Sequence, residues 1–137
     1  MTVEYKIIED KRLVIVKAFG TVTDKEVVDY LEGLAADERY VASMKKLVDF
    51  SLTESIKKTY DGALDVAKKK KALESKFSGE KCAFVTPADL AYGMARMHQA
   101  LMEDAGDRIE VFRRIEEALD WLDVELDVTL QDWLSGK

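Results

Sequence analysis

Short apolar runs alternate with amphipathic helical segments along this chain, and that alternation restricts the folds open to it. Only three polar residues separate the first two runs, which is typical of an antiparallel hairpin. Each later run follows a segment of helical periodicity, and strands joined by helical crossovers pair in parallel. The pattern predicts an α/β fold whose sheet is mostly parallel, with five strands and an antiparallel edge strand. The five runs are residues 3–8, 12–19, 46–50, 81–86 and 108–112.

Local signals predict where the helices begin. Gly20 is expected to end the second strand, and Thr23 with Glu26 forms a capping box for the first helix. A longer second helix is predicted over residues 53–77. Pro87 then takes the first position of the third helix, where its missing N–H costs nothing.

A fourth helix after the last strand completes the order β-β-α-β-α-β-α-β-α. We therefore expect a domain over residues 1–123 and a C-terminal helical extension over 124–137. Because a free helix of that length is marginal in water, the extension must dock on this chain or on a second copy in a homodimer. Its apolar residues at helical spacing are Leu126, Leu130, Trp133 and Leu134.

Bulk composition narrows the class of protein. At 137 residues, with 47% hydrophobic and 35% charged residues, the chain is expected to be one globular domain. Its formal net charge of −6 argues against nucleic-acid binding, which depends on neutralising phosphates. A single cysteine favours a reducing compartment, and no apolar run approaches the roughly 18 residues of a membrane span. We expect a cytoplasmic protein.

Charge is distributed unevenly along the chain. Residues 57–76 contain seven lysines and three acids, whereas residues 103–132 contain eleven acids and three arginines. These segments are either solvated helix faces or a bipolar surface that orients a partner or an anionic membrane. The run at 68–71 circles the helix, so Lys70 or Lys71 is predicted to lay its stem across apolar surface.

Several segments carry a family resemblance. They are LVD at 47–49, AFVTPADLAYGMARM at 83–97, and VFR at 111–113 followed by EALDWL at 117–122. With these motifs the chain resembles the SpoIIAA-like family, relatives of the STAS domain, over about residues 3–123. The resemblance implies a fold more than an activity. Anti-anti-sigma proteins of this type are switched by serine phosphorylation, and related CRAL-TRIO carriers bind apolar ligands under a mobile helix.

The resemblance gives the stretch VDFSLTES at 48–55 two interpretations. Phosphorylated STAS proteins end their third strand in Asp-Ser-Ser-Gly, so Asp49 matches the aspartate and Ser51 the phosphate acceptor. The residues that follow each of them do not match that pattern. The letters SLTE at 51–54 also form a capping box, in which Ser51 caps the second helix and Thr53 competes for the same position.

No pattern in the sequence supports catalysis or metal binding. The single histidine, His98, borders the core face of the third helix, and the single cysteine, Cys82, lies within a strand. One residue of each type cannot build an ordinary metal site, and the dispersed glycines form no phosphate-binding loop. We expect no enzyme activity, no metal and no cofactor.

Two candidate sites remain. Ligands of open α/β sheets usually bind beyond the carboxyl ends of the strands, where hydroxyls and helix N-termini converge. The polar side chains expected there either bind an anion or phospho-group, or only cap helices. They are Asp49, Ser51, Thr53, Thr86 and Arg113.

The second candidate site, a surface for a ligand or a protein partner, lies on the predicted second and third helices. Tyr92 and Arg96 are four residues apart and are predicted to stack, while the methionines are adaptable side chains that serve either the core or an apolar pocket. The set is Tyr60, Leu64, Tyr92, Met94, Arg96 and Met97.

The function predicted from these observations is a non-catalytic regulatory or ligand-binding module that binds a protein partner or a small ligand. The alternative is a carrier of an apolar ligand or lipid that touches membranes through the helix at 53–77. A carrier needs an apolar cavity between that helix and the sheet, whereas a switch protein needs a solid core and an exposed Ser51 hydroxyl.

Overall fold

The structure, a computed structural model, describes residues 2–41, 44–57, 60–73, 79–102 and 108–136. Its five strands form one sheet in the order β1-β2-β3-β4-β5. β1 is antiparallel to β2 at one edge and the other neighbours are parallel, as predicted. The strands are β1 (Val3–Ile8), β2 (Leu13–Thr23), β3 (Lys45–Lys57), β4 (Lys81–Val85) and β5 (Arg108–Phe112).

Helices cover both faces of the sheet. They are α1 (Asp24–Ala36), α2 (Tyr60–Ala72), α3 (Asp89–Leu101), α4 (Ile115–Leu122) and α5 (Val128–Leu134). The first three lie over one face, and α4 and α5 lie over the other. None of the described helices is long and apolar enough to span a bilayer.

Burial on both faces explains the unbroken apolar run that opens β2. Residues 13–16, Leu-Val-Ile-Val, have no exposed surface, because a strand between two helical layers has no solvent side. Val14 and Val16 pack under α1 with Leu31 and Leu34, whereas Leu13 and Ile15 pack with Leu122 of α4. The sheet is therefore the shared wall of two apolar cores.

The two central strands are longer than the sequence predicts. Gly20, at φ +65°, does not end β2, which continues to Thr23, and β3 continues past Phe50 to Lys57. The predicted helix over 53–77 therefore begins only at Tyr60, and residues 74–78 lie outside the described part. Pairing of β3 with the β-branched end of β2 overrides local helix propensity in this segment.

Two irregularities accompany this extension of β3. Lys17 pairs with Asp49 but Phe19 pairs with Leu52, and a second shift follows between Gly20 and Thr21. Each shift places an extra residue in β3, which is a β-bulge. Ser51 lies in the first bulge, within a strand, so the prediction that it caps a helix is wrong.

The capping box of α1 is formed in part. Thr23 Oγ1 accepts a hydrogen bond from the Glu26 N–H at 3.4 Å, as predicted. The Glu26 carboxylate instead accepts from the Thr2 hydroxyl, which ties the N-terminal segment to α1. Pro87 precedes the N-cap Ala88 of α3 and does not occupy the first helical position.

The C-terminal extension docks on its own chain. Leu126 and Leu134 are buried in the core beneath α4 and α5. Lys17 Nζ donates to the Trp133 carbonyl at 2.9 Å and lies 4.3 Å from the centroid of the Trp133 ring. The extension thus closes the second core and covers part of β2.

Truncation of Leu134 tests whether this helix is integral to the fold. Leu134 is 2% exposed, so Leu134→Ala should lower the free energy of unfolding by about 2–5 kcal/mol, measured by urea denaturation. Val128→Ala is the matched control, because Val128 is 72% exposed on the same helix and should change stability by less than about 0.5 kcal/mol. Equal effects of the two variants would contradict the docking.

Candidate functional site

A cavity of about 60 Å³ lies between the sheet and helices α1, α2 and α3. Helix α2 packs mainly against α1 and α3 on either side, and less on the strands, so it bridges the space above the sheet. Gly62 brings it close to α1, because any Cβ there would collide with the Asp24 side chain. The cavity lies beneath this bridge, with Val66 of α2 in its wall.

Aromatic side chains form part of the cavity wall. The rings of Phe50 and Phe84, on neighbouring strands, are stacked with centroids 5.9 Å apart. The half-buried His98 of α3 meets Phe84 edge-on at 5.7 Å. The position of His98 agrees with the sequence analysis, which expected it beside the core face of that helix.

Three buried charged groups meet at the cavity. Lys46 Nζ of β3 lies 3.0 Å from Glu80 Oε2, and Lys70 of α2 forms an ion pair with Glu80 Oε1. The Tyr40 hydroxyl also donates to Glu80 Oε2, at 3.1 Å. Lys46, Lys70 and Glu80, here called the charged triad, are each at most 3% exposed.

Burial and ion pairing act in opposite directions on the triad. Burial penalises every charged form, but the two lysines outweigh it and lower the pKa of Glu80 to about 2. Glu80 in turn raises the pKa of Lys46 against the effect of burial. Glu80 and Lys46 are therefore both charged at neutral pH, and Lys70 forms the second ion pair of Glu80.

One member of the triad was predictable from the sequence. The run of four lysines predicted that Lys70 or Lys71 would turn inward, and it is Lys70 that is buried while Lys71 is exposed. Lys46 and Glu80 were missed. The available signal was that a buried lysine needs an acid, and Glu80 directly precedes a buried strand.

A second concavity, an open groove of about 370 Å³, lies on the opposite face, at the carboxyl end of β4 and beside the first bulge of β3. Asp49, Ser51 and Arg113 line it, so three of the five residues predicted for this site do come together. Leu52, Val85, Leu119 and Leu134 supply its apolar surface. We call this concavity the Ser51 groove.

Ser51 is tied to Asp49 within the groove. Both its backbone N–H, at 2.9 Å, and its hydroxyl, at 2.5 Å, donate to Asp49 Oδ1. Burial raises the pKa of the Asp49 carboxyl, and these two hydrogen bonds partly offset that rise. The Ser51 side chain is exposed at the bulge, where a reagent or partner can reach it.

Arg113, not Arg96, stacks on Tyr92. Its guanidinium lies 4.1 Å from the Tyr92 ring centroid and donates to the Pro87 carbonyl and to Asp89 Oδ1, at 3.0 and 2.7 Å. These contacts hold Arg113 across the start of α3. Arg96 is exposed and lines a different concavity, beside β5.

The remaining predicted residues lie elsewhere. Thr53 donates its hydroxyl to the Phe50 carbonyl at 2.6 Å, and Thr86 is fully buried, so neither lines the groove. Leu64 and Met97 are half-buried without lining the cavity. The side chains of Tyr60 and Met94 fall outside the described part of the structure.

Together these elements form a SpoIIAA-like fold, a five-stranded mixed sheet between two helical layers. The chain is similar to an uncharacterized protein of the DUF3478 family with a SpoIIAA-like fold from Shewanella loihica PV-4. Their TM-score is 0.55 at 19% identity, over 88% of this chain and 91% of that one, a likeness that establishes the fold alone.

The anti-sigma factor antagonist SpoIIAA in its unphosphorylated form also aligns, with a TM-score of 0.49 and 8% identity over 90% of this chain and 99% of that one. No family's sequence profile matches the chain, and no curated protein matches it significantly.

Removing the negative charge of the triad should expose its energetic role. Glu80→Gln removes the carboxylate that pairs with the buried Lys46 and Lys70, so we expect a loss of about 3–5 kcal/mol in unfolding free energy at neutral pH. Because the folded pKa of Glu80 lies below its ordinary value of 4.5, its contribution is full above that pH and fades toward pH 2.

The measurement is urea denaturation of wild type and Glu80→Gln from pH 7 down to pH 2. The stability difference should shrink as the pH falls, while the exposed Glu110→Gln control stays near wild type throughout. Asp37, whose pKa Arg39 lowers, titrates in all the proteins and cancels in the difference. A difference independent of pH would contradict the assignment.

Proposed function

We propose that this domain is a non-catalytic binding module that takes a small, mainly apolar ligand between the sheet and helices α1, α2 and α3. The observation that carries the proposal is the 60 Å³ cavity beneath α2. Close packing normally leaves few voids larger than a water molecule in a protein core, so a void of this size at one defined place favours a binding role.

The ligand must be small, or α2 must move. An apolar cavity that admits benzene measures roughly 150 Å³, more than twice the space here. Helix α2 packs chiefly on its two neighbouring helices, and its contacts across the cavity include the ion pair of Lys70 with Glu80. Displacement of α2 away from the sheet is therefore the motion that enlarges the cavity.

The walls indicate the chemistry of the ligand. Most of the side chains that line the cavity are aliphatic or aromatic. Lys46 and Lys70 also line it. The Lys46 and Lys70 side chains carry only hydrogen-bond donors at their ends, so they favour an acidic or hydrogen-bond-accepting group over a basic one at that position. We therefore expect a hydrocarbon body that carries one acidic or acceptor group.

Membrane contact through α2 is the carrier form of this proposal. Lys70 is buried, Lys69 lies 3.1 Å from Glu32 Oε1, and Lys68 and Lys71 are exposed. With a net charge of −6 for the chain, such contact would be weak and sensitive to salt. Cys82 is a buried thiol outside any disulfide, in keeping with a cytoplasmic location.

Ligand retention tests the proposal directly. The protein is purified from its native cells, examined by native mass spectrometry, and then extracted with organic solvent. We expect a stoichiometric mass of a small apolar acid or acceptor. A protein that carries no such mass, and gains no stability when the organic extract of those cells is added back, would contradict the proposal.

A matched pair of variants tests the cavity itself. Val66→Ile adds one methylene to the cavity wall, so it should stabilise the ligand-free protein by roughly 0.5–1 kcal/mol and lower the retained ligand. Val14→Ile adds the same group to the same core away from the cavity, where overpacking should cost about 1–3 kcal/mol. Equal destabilisation by both variants would mean that the core beside Val66 contains no cavity, which would contradict the proposal.

The second candidate function is regulatory binding of a protein partner at the Ser51 groove. The exposed Ser51 hydroxyl beside an apolar surface supports it, because a phosphate added there would change the charge of a surface able to contact a partner. A phosphate on Ser51 Oγ removes the hydroxyl proton that Ser51 donates to Asp49, and the Asp49 carboxylate then repels the added charge.

Intact-mass measurement of the protein from its native cells tests this second candidate. We expect a phosphorylated fraction that disappears in Ser51→Ala and persists in Ser135→Ala, since Ser135 is another exposed serine of the same groove. A protein without phosphate, or one whose phosphate survives Ser51→Ala, would exclude Ser51 as a phosphorylation switch.

A further inference from the structure

The strand order leaves β1 and β5 as the two edges of the sheet. Edge strands present unpaired N–H and C=O groups to which another strand can bind. In β1, Phe19 of the neighbouring strand donates to the Thr2 carbonyl at 2.8 Å. Backbone direction alternates along a strand, so Val3, Tyr5 and Ile7 turn their backbone groups outward.

The β5 edge is partly blocked by a side chain. Arg108 donates its N–H to the Glu80 carbonyl toward β4, so the neighbouring Ile109 carbonyl faces outward. Gln99 Nε2 donates to that carbonyl at 2.5 Å and occupies it. Within the part of the chain that the structure describes, no side chain bonds the outward backbone groups of β1 in this way. The two edges therefore differ in their readiness to pair.

The side chains of β1 are self-complementary. If two copies of β1 pair antiparallel about a twofold axis at Tyr5, the outward groups of Val3, Tyr5 and Ile7 face one another across the pair. Val3 then lies opposite Ile7 of the second copy on one face. On the other face, Glu4 lies opposite Lys6 of the second copy, and the reverse pair is formed by symmetry.

Electrostatic interactions between the paired strands favour this register over the registers in which the axis is shifted by one residue in either direction. Moving the axis to Glu4 places two glutamates opposite each other, and moving it to Lys6 does the same with two lysines. Like charges directly opposite are destabilising and unlike charges are stabilising in antiparallel pairs. Both side chains are exposed, as such cross-strand contacts require.

Space for a second strand is present beside β1. An open groove of about 450 Å³ runs along β1 between α1 and Trp133. Gly33 faces it from α1, and a Cβ built at Gly33 meets nothing within 4 Å. The groove leaves room on either side of the strand for the side chains of a neighbour.

We propose that two copies of this chain associate through antiparallel pairing of β1 centred on Tyr5, which joins the two sheets into one. The C-terminal extension docks on its own chain, and its Trp133 borders the groove beside β1. The inference is independent of the proposed ligand, because its readout is association and not ligand retention.

Sedimentation velocity over a concentration series tests the proposal on the full chain. Wild type should dimerise, and the Kd should rise about tenfold or more in Glu4→Lys and in Lys6→Glu, since each reversal makes two cross-strand pairs repulsive. The double variant Glu4→Lys/Lys6→Glu should regain the wild-type Kd. The same reversals on the partly blocked edge, Glu110→Lys and Arg108→Glu, should leave it unchanged.

Glu4 also lies 3.8 Å from Lys17 of its own chain, so a lost dimer in Glu4→Lys alone does not distinguish weaker pairing from a weaker fold. A mixture of the two single variants separates these two effects. One chain then offers two lysines and the other two glutamates, so an isotope-labelled mixture should form the heterodimer in native mass spectrometry. A monomer at all concentrations, a dimer indifferent to both single reversals, or a mixture without heterodimer would overturn the proposal.

Discussion

The charged triad is the constraint on which the arrangement above the sheet depends. Buried charges must meet their partners, so β3, the segment before β4 and α2 are brought to one point by Lys46, Glu80 and Lys70. This requirement is directional, unlike apolar packing, and it fixes where α2 crosses the sheet. Helix α2 is held at one point by the Lys70–Glu80 ion pair and at its sides by α1 and α3. This support leaves space between α2 and the sheet, and the cavity occupies that space.

The two faces of the sheet are consequently unlike. The face under α4 and α5 is a continuous apolar core that the C-terminal extension closes with Leu126 and Leu134. The face under α1, α2 and α3 contains the cavity and the triad. The solid face gives the sheet a rigid backing, so a rearrangement of α2 need not disturb the strands. Ligand uptake beneath α2 and partner binding at the Ser51 groove would then use opposite faces of the sheet, whereas pairing through β1 involves Val3, which also lines the cavity.

The sequence contained most of the fold and little of the site. Strand and helix order, the antiparallel edge and the burial of Lys70 follow from periodicity and from the geometry of a lysine run. The extension of β3 to Lys57 does not, because residues 51–54 carry a strong capping signal that only pairing with β2 overrides. The triad escaped prediction because Lys46 and Glu80 become neighbours only through parallel pairing of strands far apart in sequence. Asp49, Ser51 and Arg113 were foreseen although β3 runs on to Lys57, because Asp49 pairs with the last residue of β4 and Arg113 follows the last residue of β5.

The two bulges divide β3 into an inner and an outer part that can change independently in evolution. Side chains alternate strictly from Lys45 to Asp49, where β3 is paired on both sides, and each extra residue beyond that point resets the alternation. A further insertion or deletion between the bulges would shift the outer half while leaving every inner side chain on its own face of the sheet. The outer half of β3, which includes Ser51, can therefore change length and specificity among descendants of this chain while the core keeps its residues.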